Sequence, residues 1–278
     1  IMGLKTHSKI TLVVRREEEG IQRYVHVATG NYNGKTARIY TDVGILTSNT
    51  LIGIDASAFF NLLSGYSDPP QWNKLAVAPL NLRQRIYEEI DQEIDWARKG
   101  KKALIIAKMN SLLDKKVIAR LYEASQAGVR IQLIVRGICV LRPGVPGLSE
   151  HIEVHSIVGR YLEHSRLFYF YNNGKEDVFI SSADWMPRNL NERVELMIPV
   201  EYPPHKERVK GILNLYFHDN VKAYAMNGDG TYRYLADTRR GEPIHAQAML
   251  QKEAEDHTRQ LKKKDIKTRV LTRTSGDE

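Results

Sequence analysis

The chain has one cysteine in 278 residues, which excludes an intrachain disulfide and any cluster of thiolate metal ligands. Cys139 stands between Ile138 and Val140, a setting that suits a small core or loop residue better than a nucleophile. No apolar run approaches the length of a membrane-spanning helix, and the first residues lack a signal-peptide pattern, so the default compartment is the cytoplasm. A kinase-type Gly-rich loop, a His-Glu-x-x-His zinc site and a Gly-x-Ser-x-Gly elbow are all missing. The run Gly30-Asn31-Tyr32-Asn33-Gly34-Lys35-Thr36 is one residue short of a P-loop. A strand-like stretch follows it, so no helix N-terminus would face a phosphate there.

What the chain does have is positive charge and an ordinary globular balance. The formal net charge is +8, with 42% hydrophobic and 27% charged residues, enough for one large or two ordinary domains with packed cores. The excess charge favours a polyanionic partner such as nucleic acid, phosphorylated lipid or polyphosphate. Part of it lies in the tail, where Lys262, Lys263, Lys264, Lys267 and Arg269 cluster, a run that reads as a solvated polar segment.

Two histidine motifs of one kind carry the chemistry: Lys5-Thr6-His7-Ser8-Lys9 and Glu163-His164-Ser165-Arg166. Each sets an imidazole two residues before a cation, and on a strand the two side chains would share a face. An imidazole beside a fixed positive charge suits phosphoryl chemistry. The repeat continues through a β-rich run, a turn, a small-polar cluster and an acid within an apolar strand. In the first copy the cluster is Thr29-Gly30-Asn31 and the acid is Asp42, within Ala37 to Val43. In the second they are Ser181-Ser182-Ala183-Asp184 and Glu195, within Val194 to Ile198. Both acids read as buried, and a carboxylate so placed can accept an imidazole N–H and leave the other ring nitrogen free. The residues alone do not say which acid serves which histidine.

The chemistry begins at the seventh residue, from which the chain is expected to be the C-terminal part of a longer polypeptide. Residues 1–70 read as several strands and a helix near Asn49 to Leu63, with Leu51, Ile54, Ala58 and Leu62 on its apolar face. Asp68-Pro69-Pro70 marks the boundary. A second domain, 71–250, opens with a strand at Leu75 to Ala78. A helix to about Arg98 follows, capped by Asn81 and striped by Leu82, Ile86, Ile90 and Ile94. Next comes a βαβ unit: a strand at Ala103 to Ala107, a helix at Asp114 to Ala127, Gly128 at its end, and a parallel strand at Val129 to Val135. Ligands of such sheets bind beyond the carboxyl ends of the strands, which points to Arg136, and to Arg142 in the loop after it, as a phosphate clamp. The second histidine unit, a helix from about Pro204 to His218 and a short hairpin around Asn227 to Gly230 complete the domain. Residues 251–278 read as a polar, helical or disordered tail.

The motifs resemble the C-terminal half of bacterial polyphosphate kinases. The resemblance rests on Lys5 to Lys9, Ala28-Thr29-Gly30-Asn31-Tyr32-Asn33, Ala37 to Asp42, Leu133 to Cys139, and Ser182-Ala183-Asp184-Trp185-Met186-Pro187-Arg188-Asn189-Leu190. It runs from the first residues to about Gln247. It implies an α/β fold of phospholipase-D-like mixed sheets flanked by helices, here as one incomplete and one complete copy. It also implies reversible transfer of the ATP γ-phosphate to polyphosphate through a phosphohistidine, with Mg²⁺. By motif, His7 would be the nucleophile and His164 a proton donor or phosphate contact. Asp42 and Glu195 would orient the histidines, in a crossed arrangement if such paired sites are a guide. Tyr40, Arg136 and His164 match nucleotide-contact positions, and Lys9 and Arg166 would neutralise phosphoryl charge. The part of the family expected to hold Mg²⁺ has no counterpart here. Expected partners are ATP or ADP and polyphosphate, with no specific nucleic acid, and self-association through exposed sheet edges. A phospholipase-D-type phosphodiesterase is the rival enzyme, but Val14 and Tyr171 occupy the acidic position of its His-x-Lys-x₄-Asp motif. A noncatalytic polyanion-binding module is the third alternative.

Overall fold

The computed structural model describes residues 3–66, 68, 71–238 and 241–263. The first unit holds β1 (Lys5–Thr6), β2 (Ile10–Glu17), β3 (Gly20–Ala28), β4 (Tyr40–Thr41), β5 (Gly44–Thr47) and α1 (Thr50–Leu63). Strands β2, β3 and β5 form a small antiparallel sheet. The Asn49 side chain starts α1 by accepting the Ile52 N–H at 3.1 Å, satisfying one of the free donors of a helix start. The buried face of α1 is Ile52, Ala56, Phe59 and Leu62, while Leu51 and Ile54 are exposed. Of the expected stripe Leu62 is buried and Ala58 half-buried, but the face is rotated at its N-terminal end, where Asp55 faces inward. Its carboxylate accepts the backbone N–H groups of Asn73, Lys74 and Leu75 at 3.0, 2.6 and 2.9 Å. That bond set fastens α1 to the first residues of the second unit.

The second unit continues with β6 (Ala76–Ala78), α2 (Leu82–Arg98), β7 (Leu104–Met109), α3 (Lys115–Gln126), β8 (Arg130–Val135), β9 (Ile152–Ile157) and β10 (Leu162–Glu163). Then come β11 (Arg166–Phe170), β12 (Asp177–Ser181), α4 (Pro187–Asn191), β13 (Arg193–Pro199), α5 (Pro203–Phe217), β14 (Ala223–Met226), β15 (Tyr232–Tyr234) and α6 (Ala246–Lys263). A ten-stranded mixed sheet runs β1-β13-β12-β11-β7-β8-β9-β14-β15, with β6 also paired to β13. The βαβ unit is present: β7 and β8 are parallel, Asp114 caps α3, and Gly128 takes φ +94° at its end, where a side chain would be strained.

Side-chain alternation divides the sheet between two cores. Ile105, Ala107, Leu133, Phe168 and Phe170 pack beneath α2 and α3, with Leu82, Ile86, Ile90 and Ile94 as the α2 stripe. Each fully buried isoleucine there contributes about 1.5–3 kcal/mol relative to exposure. Leu167, Ile180, Val194 and Leu196 pack on the other face with Phe59 of α1 and Leu213 of α5. Asn81 stands at the α2 N-cap but does not cap it. Its side chain instead accepts the Val77 N–H at 2.7 Å. Helix α6 is continuous across residue 250, so no break separates the second unit from the described part of the tail; Lys264, Lys267 and Arg269 lie outside the described residues. No described helix is long and apolar enough to cross a membrane.

Strands of the two units pair with one another in two places. β1 pairs in parallel with β13, setting Thr6 opposite Val194, and β4 pairs in parallel with β10, setting Thr41 opposite Glu163. The residue after each pair is a histidine on one strand and a carboxylate on the other.

Candidate active site

Both histidines lie where strands break, rather than within strands as expected. The N–H groups of His7 and Ser8 both bond the Val194 carbonyl, at 2.9 and 3.0 Å, and the Lys9 ammonium donates to the carbonyl of His7. In the second unit, Arg166 Nη1 donates to the carbonyl of His164 at 2.8 Å. The cation two residues on thus braces its histidine's backbone in both copies. Asp42 departs from expectation in the same way. Asn33 Oδ1 accepts the N–H groups of Lys35 and Thr36 at 3.0 and 3.1 Å, which starts a single 3₁₀ turn at Thr36–Arg38. Only Tyr40–Thr41 remains as strand.

The carboxylates cross between units. His7 Nδ1 lies 2.8 and 2.9 Å from the two oxygens of Glu195, and His164 Nδ1 lies 2.9 and 3.1 Å from those of Asp42. A carboxylate accepts only, so each Nδ1 carries a proton, and in the neutral ring the lone pair is on Nε2. The two lone pairs meet different surroundings. His7 Nε2 has no partner among the described residues, whereas Arg166 Nη1 stands 3.2 Å from His164 Nε2. Burial lowers the pKa of His164, Asp42 partly restores it, and Arg166 lowers it further; its ring is therefore held neutral.

Each carboxylate is held by a hydroxyl thirteen residues earlier in the chain. Thr29 Oγ1 donates to Asp42 at 2.7 Å, and Ser182 Oγ donates to Glu195 at 2.5 Å. Each hydroxyl also accepts the N–H of the residue after its acid, Val43 or Leu196. Glu195 accepts a further bond from Asn189 Nδ2 at 2.5 Å and its side chain is 0% exposed. The Asp42 side chain is 24% exposed, against the expectation of a buried acid. The backbone passes so close to it that a Cβ at Gly30 would lie 2.0 Å from Asp42 Oδ2, a position only glycine can fill.

The cations differ as much as the acids. Arg166 forks onto Asp184, with Nε and Nη2 at 3.2 and 2.8 Å from the two oxygens, and Nη1 reaches the Thr29 carbonyl at 3.3 Å. Burial would raise the pKa of Asp184, but the Arg166 guanidinium and the hydrogen bonds from Asn110 together outweigh it and hold the group below the usual carboxylate range. Lys9 is buried with no carboxylate in salt-bridge contact among the described residues. Burial lowers its pKa to about 8, against the opposing pull of Glu195. Arg166, Asp42 and Arg193 also act on it, so the two half-sites form one electrostatic cluster.

Of the other expected residues, Tyr40 packs on the His164 ring with centroids 4.9 Å apart. Arg136 joins the cluster from the end of β8, donating to Asn110 Oδ1 at 3.1 Å and to the Glu163 carbonyl at 3.2 Å. Arg142 does not join. It is exposed, and its Nε donates to the Gly228 carbonyl at 2.7 Å, so the expected two-arginine clamp is not formed. Arg193, not among the expected residues, stands opposite Lys5 in the β1–β13 ladder and its charge acts on Lys9. It precedes Glu195 by two residues, as Tyr40 precedes Asp42, so matching the two thirteen-residue spans end to end would have found it. Asn189 is legible the same way, opposite Thr36.

Residues 1–69 match the family model for polyphosphate kinase C-terminal domain 1, and residues 75–247 match that for polyphosphate kinase C-terminal domain 2. The polyphosphate kinase of Halalkalibacterium halodurans is 55% identical over 247 residues, covering 89% of this chain and 35% of its own length. That of Bacillus anthracis is 52% identical over 258 residues, covering 93% and 37%. The crystal structure of polyphosphate kinase from Porphyromonas gingivalis superposes with a TM-score of 0.86 at 41% identity, over 93% of this chain and 40% of that one. The chain spans little more than a third of the length of these curated relatives.

Proposed function

The chain belongs to the polyphosphate kinase family, matching both of its C-terminal domains, and from that premise we propose that it carries the phosphohistidine half of a reversible transfer between ATP and polyphosphate. In this reading His7 Nε2 attacks the γ-phosphorus, the N–P bond forms as the bond to the bridging oxygen breaks, and ADP leaves. The terminal oxygen of a polyphosphate chain then takes the phosphoryl group, and the imidazole lone pair is restored. Splitting the transfer in this way replaces one hard displacement by two easier ones.

The observation that carries the reading is the inequality of the two Nε2 atoms. Glu195 fixes His7 in the tautomer whose Nε2 lone pair is exposed for attack, while the His164 lone pair faces Arg166. His164 is therefore read as a neutral phosphate contact rather than a second nucleophile, and its lowered pKa argues against a resting proton donor at Nε2. Lys9, Arg136 and Arg193 supply positive charge for the phosphoryl oxygens, and Tyr40 offers a ring face to the nucleotide. Among the described residues, no group of three or more His, Cys, Asp or Glu side chains could hold a metal.

The test is incubation with γ-labelled ATP and Mg²⁺, followed by a search for acid-labile, base-stable label on the protein. Label that is absent in His7→Ala is the expected result. Label that persists in His7→Ala overturns the assignment of the nucleophile.

A further inference from the structure

The second unit contains a buried ion pair that the proposed transfer does not use. Glu163 and Lys108, each 1% exposed at the side chain, meet at 3.1 Å. Lys108 also donates to Ser165 Oγ at 2.7 Å and lies 4.9 Å from the Tyr216 ring centroid. Burial lowers the pKa of Lys108 and Glu163 pulls it back. The carboxylate has two more partners. Thr41 Oγ1 donates to Oε2 at 2.8 Å, and Gln247 Nε2, from the first turn of α6, donates to Oε1 at 2.7 Å. Gln247 is itself seated on Tyr161, accepting its N–H at 3.1 Å and donating to its carbonyl at 2.8 Å.

This network lies where the site is mechanically weakest. β4 is two residues long and pairs only with β10 among the described residues, and so short a ladder has little stability of its own. Yet its register sets Asp42 opposite His164. Thr41 immediately precedes Asp42, and Glu163 immediately precedes His164, so the Thr41–Glu163 bond ties the two backbones one residue from the imidazole–carboxylate contact. In the first unit Thr6 occupies the matching place and is exposed. There the opposing strand, β13, is embedded in the ten-stranded sheet and needs no such brace.

We propose that Glu163 is a positioning residue for His164 and that Gln247 makes the docking of α6 a condition of its action. With α6 seated, the carboxylate is aimed at Thr41 and Asp42 is held on His164 Nδ1. With α6 displaced, the second half-site loosens while the first stays intact. The bearing on phosphoryl transfer rests on the function proposed above; the imidazole geometry does not.

The experiment is proton-exchange NMR on the imidazole Nδ1–H groups of the isotopically labelled chain, with His7 as internal control and the Ala246 amide, which donates to Asp219 Oδ2 at 2.8 Å, reporting whether α6 is docked. Thr41→Val and Gln247→Met should each speed exchange of the His164 proton about tenfold, the loss of roughly one buried hydrogen bond, and leave that of His7 unchanged. In Thr41→Val the Ala246 amide should stay protected, which separates loss of the brace from loss of the helix. Unaltered His164 exchange in either variant overturns the proposal, as does equal acceleration at both histidines. None of these readouts requires ATP, so absence of phosphorylation leaves them interpretable.

Discussion

The two half-sites share an order of residues and differ in how each member is satisfied. Glu195 belongs to a strand inside a wide sheet, is sealed from solvent and accepts from His7, Ser182 and Asn189. Asp42 follows an isolated two-residue strand, is partly exposed, and is held by His164 and Thr29. For the cations the pattern reverses: Arg166 is saturated by Asp184 and two carbonyls, whereas Lys9 is buried with its charge uncompensated at close range. One half thus pairs a sealed acid with a buried cation that has no carboxylate in contact among the described residues, and the other a partly exposed acid with a cation paired to Asp184. A repeated motif need not mean a repeated job. The half with the sealed acid leaves its imidazole Nε2 without a partner among the described residues, as a nucleophile requires.

The largest expected break in this comparison is between the cations. Arg166→Met should cost about 3–5 kcal/mol, because it leaves the buried Asp184 carboxylate without its counter-charge, held only by the N–H groups of Asn110 and Ser111. Lys9→Met, which removes a desolvated charge rather than exposing one, should change stability by less than about 1 kcal/mol. Urea unfolding of the two variants checks this, and equal losses would erase the distinction. Next come the acids. Glu195→Gln should slow labelling of His7 by about a hundredfold or more through loss of tautomer control, with Asp42→Asn slowing it less and both variants folding normally. Rapid-quench labelling rates measure the order, and unchanged labelling in both removes the orienting role.

A smaller effect follows from Lys9. Its charge is present below about pH 8 and lost above, so labelling of His7 should decline as pH rises through that value. Lys9→Arg, which keeps its charge, should carry the alkaline limb upward; a limb that does not move assigns it to another group. The same shift implies that folding stability attributable to Lys9 rises between about pH 8 and its ordinary value, since there the unfolded chain binds the extra proton. The smallest effect is expected for Thr29→Val. It removes the bond to Asp42 and the one accepted from the Val43 N–H, at about 1 kcal/mol each, and should leave His7 labelling close to wild type.

Much of the scaffold was readable from pattern. The α2 stripe, the βαβ unit with its Gly128 terminus, and the turn between β2 and β3 all depend on contacts a few residues apart, which periodicity and turn chemistry report directly. The misreadings have local causes. The α1 face was rotated because Asp55 is buried for its bonds to the chain near Asn73, which no apolar moment can show. The strand expected across Ala37 to Val43 was shortened because a 3₁₀ turn occupies Thr36–Arg38, led in by the Asn33 side chain that accepts the N–H groups of Lys35 and Thr36. Arg142 looked like a clamp because a basic loop after a strand suits phosphate, yet its guanidinium is already committed to the Gly228 carbonyl.

The sequence by itself determined the family, the residue types of the site and their doubled order, since these are properties of the chain read in one direction. It also carried the thirteen-residue spacing from hydroxyl to acid that makes the two halves comparable. Tertiary structure alone decided that the carboxylates cross, which imidazole keeps a free Nε2, and that α6 reaches back to the strand before His164. Each of these depends on pairing between segments far apart in the chain, β1 with β13 and β4 with β10. In such ladders register is set by the packing of whole sheets and not by any local preference.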